Sequence, residues 1–237
     1  MSKQFWGVIV VVILLIAGVF VLTGNNSSDS KNTVKAGTTT NHVEGQGKAG
    51  VTLVEYGDYE CPFCGQFYPI VKQVQSEFND QIIFQFRNFP LVSLHRNAFA
   101  GARAAEAAAM QNKFWEMHDL LYQNQNQWSS SNDPTTIFNQ YATALGLNLT
   151  KFKQDFASGT VNNLINGDTA AGNKLKIQGT PTFFLDGKLI QVGQANSAQP
   201  VFENLIKTEI AKKAGQTSTS APTTTSPTGQ TTAPAKQ

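Results

Sequence analysis

Cys61 and Cys64 are the only cysteines in the chain, and two residues separate them in "YGDYECPFCGQFYPI" (56–70). Two thiols so spaced can share a metal ion, close a structural staple, or exchange electrons with another thiol pair. A metal site needs four ligands, or three plus water. Only two thiols are available here, and His42, His95 and His118 show no paired ligand spacing. A staple would close a four-residue loop, worth about 2 kcal/mol before strain is deducted, at a helix start that needs none. Redox exchange explains the positions better. Pro62 suits the first position of a helix, where its missing N–H costs nothing. Cys61 is then the N-cap, its sulfur facing free N–H groups and the positive end of the helix dipole, both of which favour thiolate. The thiolate is the attacking species in disulfide exchange, and Cys64, one turn on, can resolve a mixed disulfide.

The elements that must hold this pair are legible around it. "VTLVEY" (51–56) reads as a buried strand, β-branched and nearly all apolar. Pro62 to Phe78 reads as a helix, with Phe63, Phe67, Ile70, Val74 and Phe78 at three- and four-residue spacing and Pro69 placed to kink it. "QIIFQFRNFP" (81–90) is a second strand, so the opening is a parallel strand–helix–strand unit. A helical block follows. It contains the Ala-rich "RNAFAGARAAEAAAM", the amphipathic "KFWEMHDLLYQ", a helix opened by Asp133-Pro134, one capped by Thr150, and another over 160–174. "TPTFFLDGKLIQVG" reads as a β-hairpin about Asp186-Gly187, and residues 198–213 as a closing helix.

Glu55 stands in the otherwise apolar strand, six residues before Cys61. Buried there, its carboxyl would have a raised pKa and could exchange protons near neutrality; at a solvent-facing strand end it would not. Gly179-Thr180-Pro181 precedes the hairpin, where a proline need not donate to the ladder. A cis Thr180–Pro181 bond would leave the backbone of Thr180 free to pair with an extended substrate segment.

The ends of the chain differ from the middle. Phe5 to Leu22 is an unbroken apolar stretch which, as a helix, spans about 27 Å, close to a bilayer's hydrocarbon thickness. Lys3 lies before it, so the positive-inside tendency puts the stub 1–4 in the cytoplasm and the rest outside, as a single-pass protein at the cell membrane. A cleaved signal peptide is the alternative, although small residues are poorly placed for cleavage around Leu22-Thr23-Gly24. Residues 23–48 are polar and aperiodic and read as a flexible tether; 214–237 are Thr/Ser/Pro-rich and read as a disordered tail. Between them, 49–213 form one domain with a helical insertion over about 92–176. The net charge of +2 gives no sign of a nucleic-acid partner.

"VEYGDYECPFC", followed far downstream by "QGTPTFFLDG", resembles the thioredoxin-like disulfide oxidoreductases, and the helical block between them resembles the DsbA-like branch. The resemblance implies an α/β thioredoxin fold with an inserted helical domain, here preceded by an N-terminal transmembrane helix. It makes Cys61 the exposed nucleophile, Cys64 the buried resolving thiol and Pro181 a cis-proline packed on the pair. It places Thr180 against the substrate backbone and Glu55 as a buried acid serving the resolving cysteine. It implies a monomer without cofactor that acts on reduced secreted or surface proteins and is reoxidised by a quinone-linked membrane partner of the DsbB or VKOR-like type. Pro62-Phe63 departs from strongly oxidising members, which often carry a histidine beside the second cysteine, so the direction of electron flow stays open. A reductase or isomerase would use the same residues, and a surface-binding module with a structural disulfide is the rival from another class. His95 and His118 read as structural, and Phe63 either packs inward or presents an apolar surface to clients.

Overall fold

In the computed structural model, residue 35 and residues 37–219 are described, the last three as backbone only. The stub 1–4, the apolar stretch 5–22, most of the expected tether and the tail beyond 219 lie outside the described residues. Among the described residues no helix is long and apolar enough to cross a membrane.

The elements run β1 (His42–Glu44), β2 (Val51–Gly57), α1 (Pro62–Phe78), β3 (Ile82–Asn88), α2 (Ala98–Ala109), α3 (Phe114–Gln123) and α4 (Gln125–Trp128). Then come α5 (Thr135–Ala144), α6 (Leu149–Phe156), α7 (Gly159–Lys174), β4 (Thr182–Leu185), β5 (Lys188–Ile190) and α8 (Ala195–Thr219). One five-stranded sheet has the order β1-β3-β2-β4-β5. Only the β2–β3 pair is parallel, in the register Val51 opposite Ile82 through Gly57 opposite Asn88. That pair is the strand–helix–strand unit read from the sequence, with α1 as its crossover.

Strand β2 is central and covered on both faces, which is why it reads as an apolar run. Helices α1 and α8 pack together, and Phe67 of α1 and Phe202 of α8 both meet Phe183 of β4. On the sheet's other face a smaller cluster joins Tyr56, Phe89, Ile177 and Phe184. The inward row of α1 is Cys64, Phe67, Val71, Val74 and Phe78. Cys64 lies three residues before Phe67 and takes the inward place, so Phe63 is turned out and is 61% exposed.

Helices α2 to α7 fill the connection between β3 and β4. The buried alanines of α2, among them Ala102, Ala105 and Ala108, let α3, α6 and α7 approach it closely. Asp133 accepts from both the amide (3.0 Å) and hydroxyl (2.6 Å) of Thr135, so α5 begins one residue later than Pro134. The cap of α6 is Asn148, which accepts from the Lys151 amide at 2.9 Å, and not Thr150. Asp186 (φ 46°) and Gly187 (φ 76°) make the β4–β5 turn.

Two boundaries need correction. The tether expected to reach residue 48 ends earlier, because His42–Glu44 pair antiparallel with β3. Thr40 is buried and donates its amide (2.9 Å) and hydroxyl (2.6 Å) to Asp168 of α7. Asp168, fully buried, also accepts from Arg87 (3.0 Å) and the Asn88 amide (3.0 Å). His42, expected in the tether, stacks on Phe114 with ring centroids 3.4 Å apart and meets Glu106 at 2.8 Å. Polar partners hold this segment, and they leave no apolar period to read. At the other end α8 continues past 213 to Thr219.

Candidate active site

The end of β2, the start of α1 and the loop before β4 meet at the two cysteines. Cys61 is the N-cap of α1, with φ −65° and ψ 121°, and its carbonyl accepts the first helical bond from Gly65 at 3.1 Å. Pro62 follows at the first helical position. Both cysteines are buried, Cys61 at 3% exposure where an exposed nucleophile was expected, and their sulfurs are not bonded to each other. The Cys61 thiol donates to the Thr180 carbonyl at 3.3 Å, and the Asp58 amide donates to the Cys64 sulfur at 3.5 Å. The Thr180–Pro181 peptide is cis. Thr180 and Pro181 line a groove of about 550 Å³ together with Phe63, Gln66, Phe183 and Leu189.

The two thiols are strongly unequal. Cys61 is lowered to about 6, chiefly by its hydrogen bond with Cys64. Burial opposes this, and contacts with Thr180 and the helix-start amides of Cys64 and Phe63 lower it further. Burial pushes Cys64 well above the ordinary thiol range, and the bond to Cys61 adds to that. The helix start and a neighbouring thiol thus supply the stabilisation that a histidine within the motif would otherwise give.

Glu55 is buried at 3% exposure, on the face of β2 shared with Leu53, between Phe86 of β3 and Phe183 of β4. Burial, and then the charge of Cys61, raise it to about 8. At neutral pH it is therefore a protonated acid, coupled electrostatically to both cysteines. Of the two placements open from sequence, the structure has the buried one.

The site holds residues that spacing did not reveal. Asp58, 1% exposed, accepts from the Glu60 amide (2.8 Å) and the Leu91 amide (2.9 Å) and meets Nδ1 of His95 at 2.7 Å. Burial pushes His95 down, but the bond and charge of Asp58, with the Cys61 charge behind them, leave it raised. His95 is thus tied through Asp58 to the backbone beside Cys64. "YGDYEC" placed Asp58 close in sequence, but nothing in it signalled a partner 37 residues away. Gln125 of α4 donates to the Tyr59 and Cys61 carbonyls at 2.8 and 2.9 Å. His118 is buried in the aromatic cluster with Phe86 and Tyr122, away from the sulfurs' hydrogen bonds. Among the described residues no group of three or more metal-ligating side chains comes together.

The geometry brings a lowered thiol beside a raised one, with a buried neutral acid and a groove of mixed polarity next to them. The family model described as Thioredoxin matches residues 37–208. A stretch of 151 residues is 39% identical to the Na(+)/H(+) antiporter NhaA 1 of Mycolicibacterium gilvum, covering 62% of this chain but 23% of that protein. This chain thus spans about a quarter of the length of those antiporter relatives. Probable disulfide bond formation protein D of Bacillus cereus is 26% identical over 206 residues, covering 83% of this chain and 90% of that one. The crystal structure of oxidised BdbD from Bacillus subtilis superposes with a TM-score of 0.64 at 24% identity, covering 76% of this chain and 100% of that chain. The chain belongs to the thioredoxin family.

Proposed function

We propose that the protein introduces disulfides into reduced secreted or surface proteins. The inequality of its two thiols carries this conclusion. A client thiolate attacks Cys61 Sγ in the oxidised pair, forming a client–Cys61 disulfide and breaking the Cys61–Cys64 bond. Cys64 leaves with the electron pair, and its high proton affinity takes a proton from neutral Glu55. A second client thiolate then attacks the client sulfur of the mixed disulfide and expels Cys61 as a thiolate. With Cys61 near 6 that thiolate is about nine-tenths ionised at pH 7, which makes it a good leaving group and draws the exchange toward the reduced enzyme and oxidised client. Thr180 and Pro181 would hold the client backbone beside the sulfur, with Phe63 and the groove taking its apolar side chains.

Two electrons and the corresponding protons must then leave the pair. A quinone-linked membrane oxidase of the DsbB or VKOR-like type fits that need, and the apolar stretch 5–22 would anchor the domain on the extracytoplasmic side as a monomer. The named relative in disulfide bond formation supports the direction, and so does the lowered Cys61. The test is oxidative refolding of a reduced disulfide-containing substrate. Cys61→Ser should abolish catalysis, and Cys64→Ser, which cannot close the intramolecular disulfide that a client thiolate attacks, should abolish it as well. Full oxidase activity in Cys61→Ser would overturn the assignment.

A further inference from the structure

Among the contacts the helical insertion makes with the active-site loop, one side chain spends both of its amide donors on that loop's carbonyls. Gln125 Nε2 donates to the Tyr59 carbonyl at 2.8 Å and to the Cys61 carbonyl at 2.9 Å. The Cys61 carbonyl is the N-cap acceptor that also receives Gly65 N–H, so the bond falls on the backbone that aims the attacking sulfur at the helix start. The amide fits there because residue 65 has no side chain. A Cβ on Gly65 would lie 2.6 Å from Gln125 Oε1 and 3.1 Å from its Cδ. Gly65 has no positive φ to explain a glycine, so close approach of Gln125 is what its small size serves.

We propose that Gln125 is a positioning residue for thiol–disulfide exchange, setting the orientation of Cys61 through the Cys61 and Tyr59 carbonyls from the inserted domain. The proposal rests on the function given above. The amide anchors the 59–61 backbone so that the Cys61 sulfur stays on the Cys64 and Phe63 amides that stabilise its thiolate. Released, the two carbonyls turn toward other donors and the sulfur loses part of that alignment. The reduced state is harmed more than the oxidised one, because the thiolate exists only in the reduced state.

The test is the equilibrium between the Cys61–Cys64 pair and glutathione, measured on the full chain in detergent for wild type, Gln125→Met and Gly65→Ala. Methionine keeps the volume of glutamine and removes its donors. Gln125→Met is expected to shift the equilibrium toward the disulfide by about tenfold, or about 30 mV for a two-electron couple, and to raise the pH midpoint of Cys61 alkylation. Gly65→Ala should shift both in the same direction by pushing the amide away. The double variant should show no more than the larger single shift, because both changes remove the same bonds. A purely structural role would destabilise both redox states alike and leave the equilibrium unmoved. Folded Gln125→Met with the wild-type equilibrium overturns the proposal. If that variant does not fold, an unmoved equilibrium in Gly65→Ala overturns it instead. A wild-type pair that never exchanges with glutathione sinks the function; a wild-type pair that exchanges, matched by Gln125→Met, sinks only the role of Gln125.

Discussion

Replacing Glu55 by glutamine should stabilise the protein while impairing it. The carboxyl is raised from an ordinary 4.5 to about 8 by burial first and by the Cys61 charge second. Between those values the folded protein keeps a proton that the unfolded chain has lost, so stability falls by about 1.4 kcal/mol for each pH unit. The sign follows from the raised value: a buried acid costs stability above its unfolded pKa, and the cost grows until the folded group ionises. At pH 5 the penalty is under about 1 kcal/mol, and at pH 7 it is about 3 kcal/mol. Glutamine keeps the shape and cannot ionise, so the advantage of Glu55→Gln over wild type should widen by about 2 to 3 kcal/mol from pH 5 to pH 7. Urea denaturation of the oxidised forms at both pH values is the suitable assay. With the disulfide closed the two cysteines do not titrate, and burial, the main cause, remains. The same variant should slow client oxidation in the refolding assay, because Cys64 loses its proton donor. A stability difference that stays constant from pH 5 to pH 7 would refute the assignment of Glu55 as a buried neutral acid.

Alkylation of the reduced protein should label Cys61 alone, with a rate that rises through a midpoint at about pH 6, while Cys64 stays unmodified until denaturant is added; mass tagging distinguishes them. Phe63→Ser removes a side chain that is 61% exposed, so unfolding free energy should move by less than about 0.5 kcal/mol, while the KM for a reduced protein client rises. Asp168→Ala leaves the Arg87 charge without its partner and removes the acceptor of the Thr40 and Asn88 bonds. It should cost about 3–5 kcal/mol in a denaturation experiment and leave the pH midpoint of Cys61 alkylation in place.

The site was legible in sequence wherever chemistry depends on neighbours a few residues apart. Cys61 at a helix start, Cys64 one turn on, Pro62 at the first helical position and Glu55 in an apolar strand are all local facts. Periodicity and turn residues found β2 to β5 and the longer helices but not β1 or the short α4, and erred where a terminal residue had to be chosen. The N-cap of α6 is an example, since Asn148 and Thr150 are both competent acceptors and the fold uses Asn148. The inward row of α1 runs through Cys64 and Val71 where spacing had given Phe63 and Ile70, and of the two placements left open for Phe63 the structure has the exposed one.

What the sequence by itself determined was the reactive pair, its place between a strand and a helix, and the order of elements around it, because each rests on covalent spacing and local backbone preference. What only the tertiary structure decided was which distant side chains come to that pair. Asp168 gathers Thr40 from 128 residues away, Asp58 takes His95, and Gln125 reaches across 64 residues to Cys61. These are single polar contacts that recur at no period. A lone glutamine or histidine looks the same in sequence whether it faces water or a buried carbonyl, and only the packing of the insertion against the sheet tells them apart.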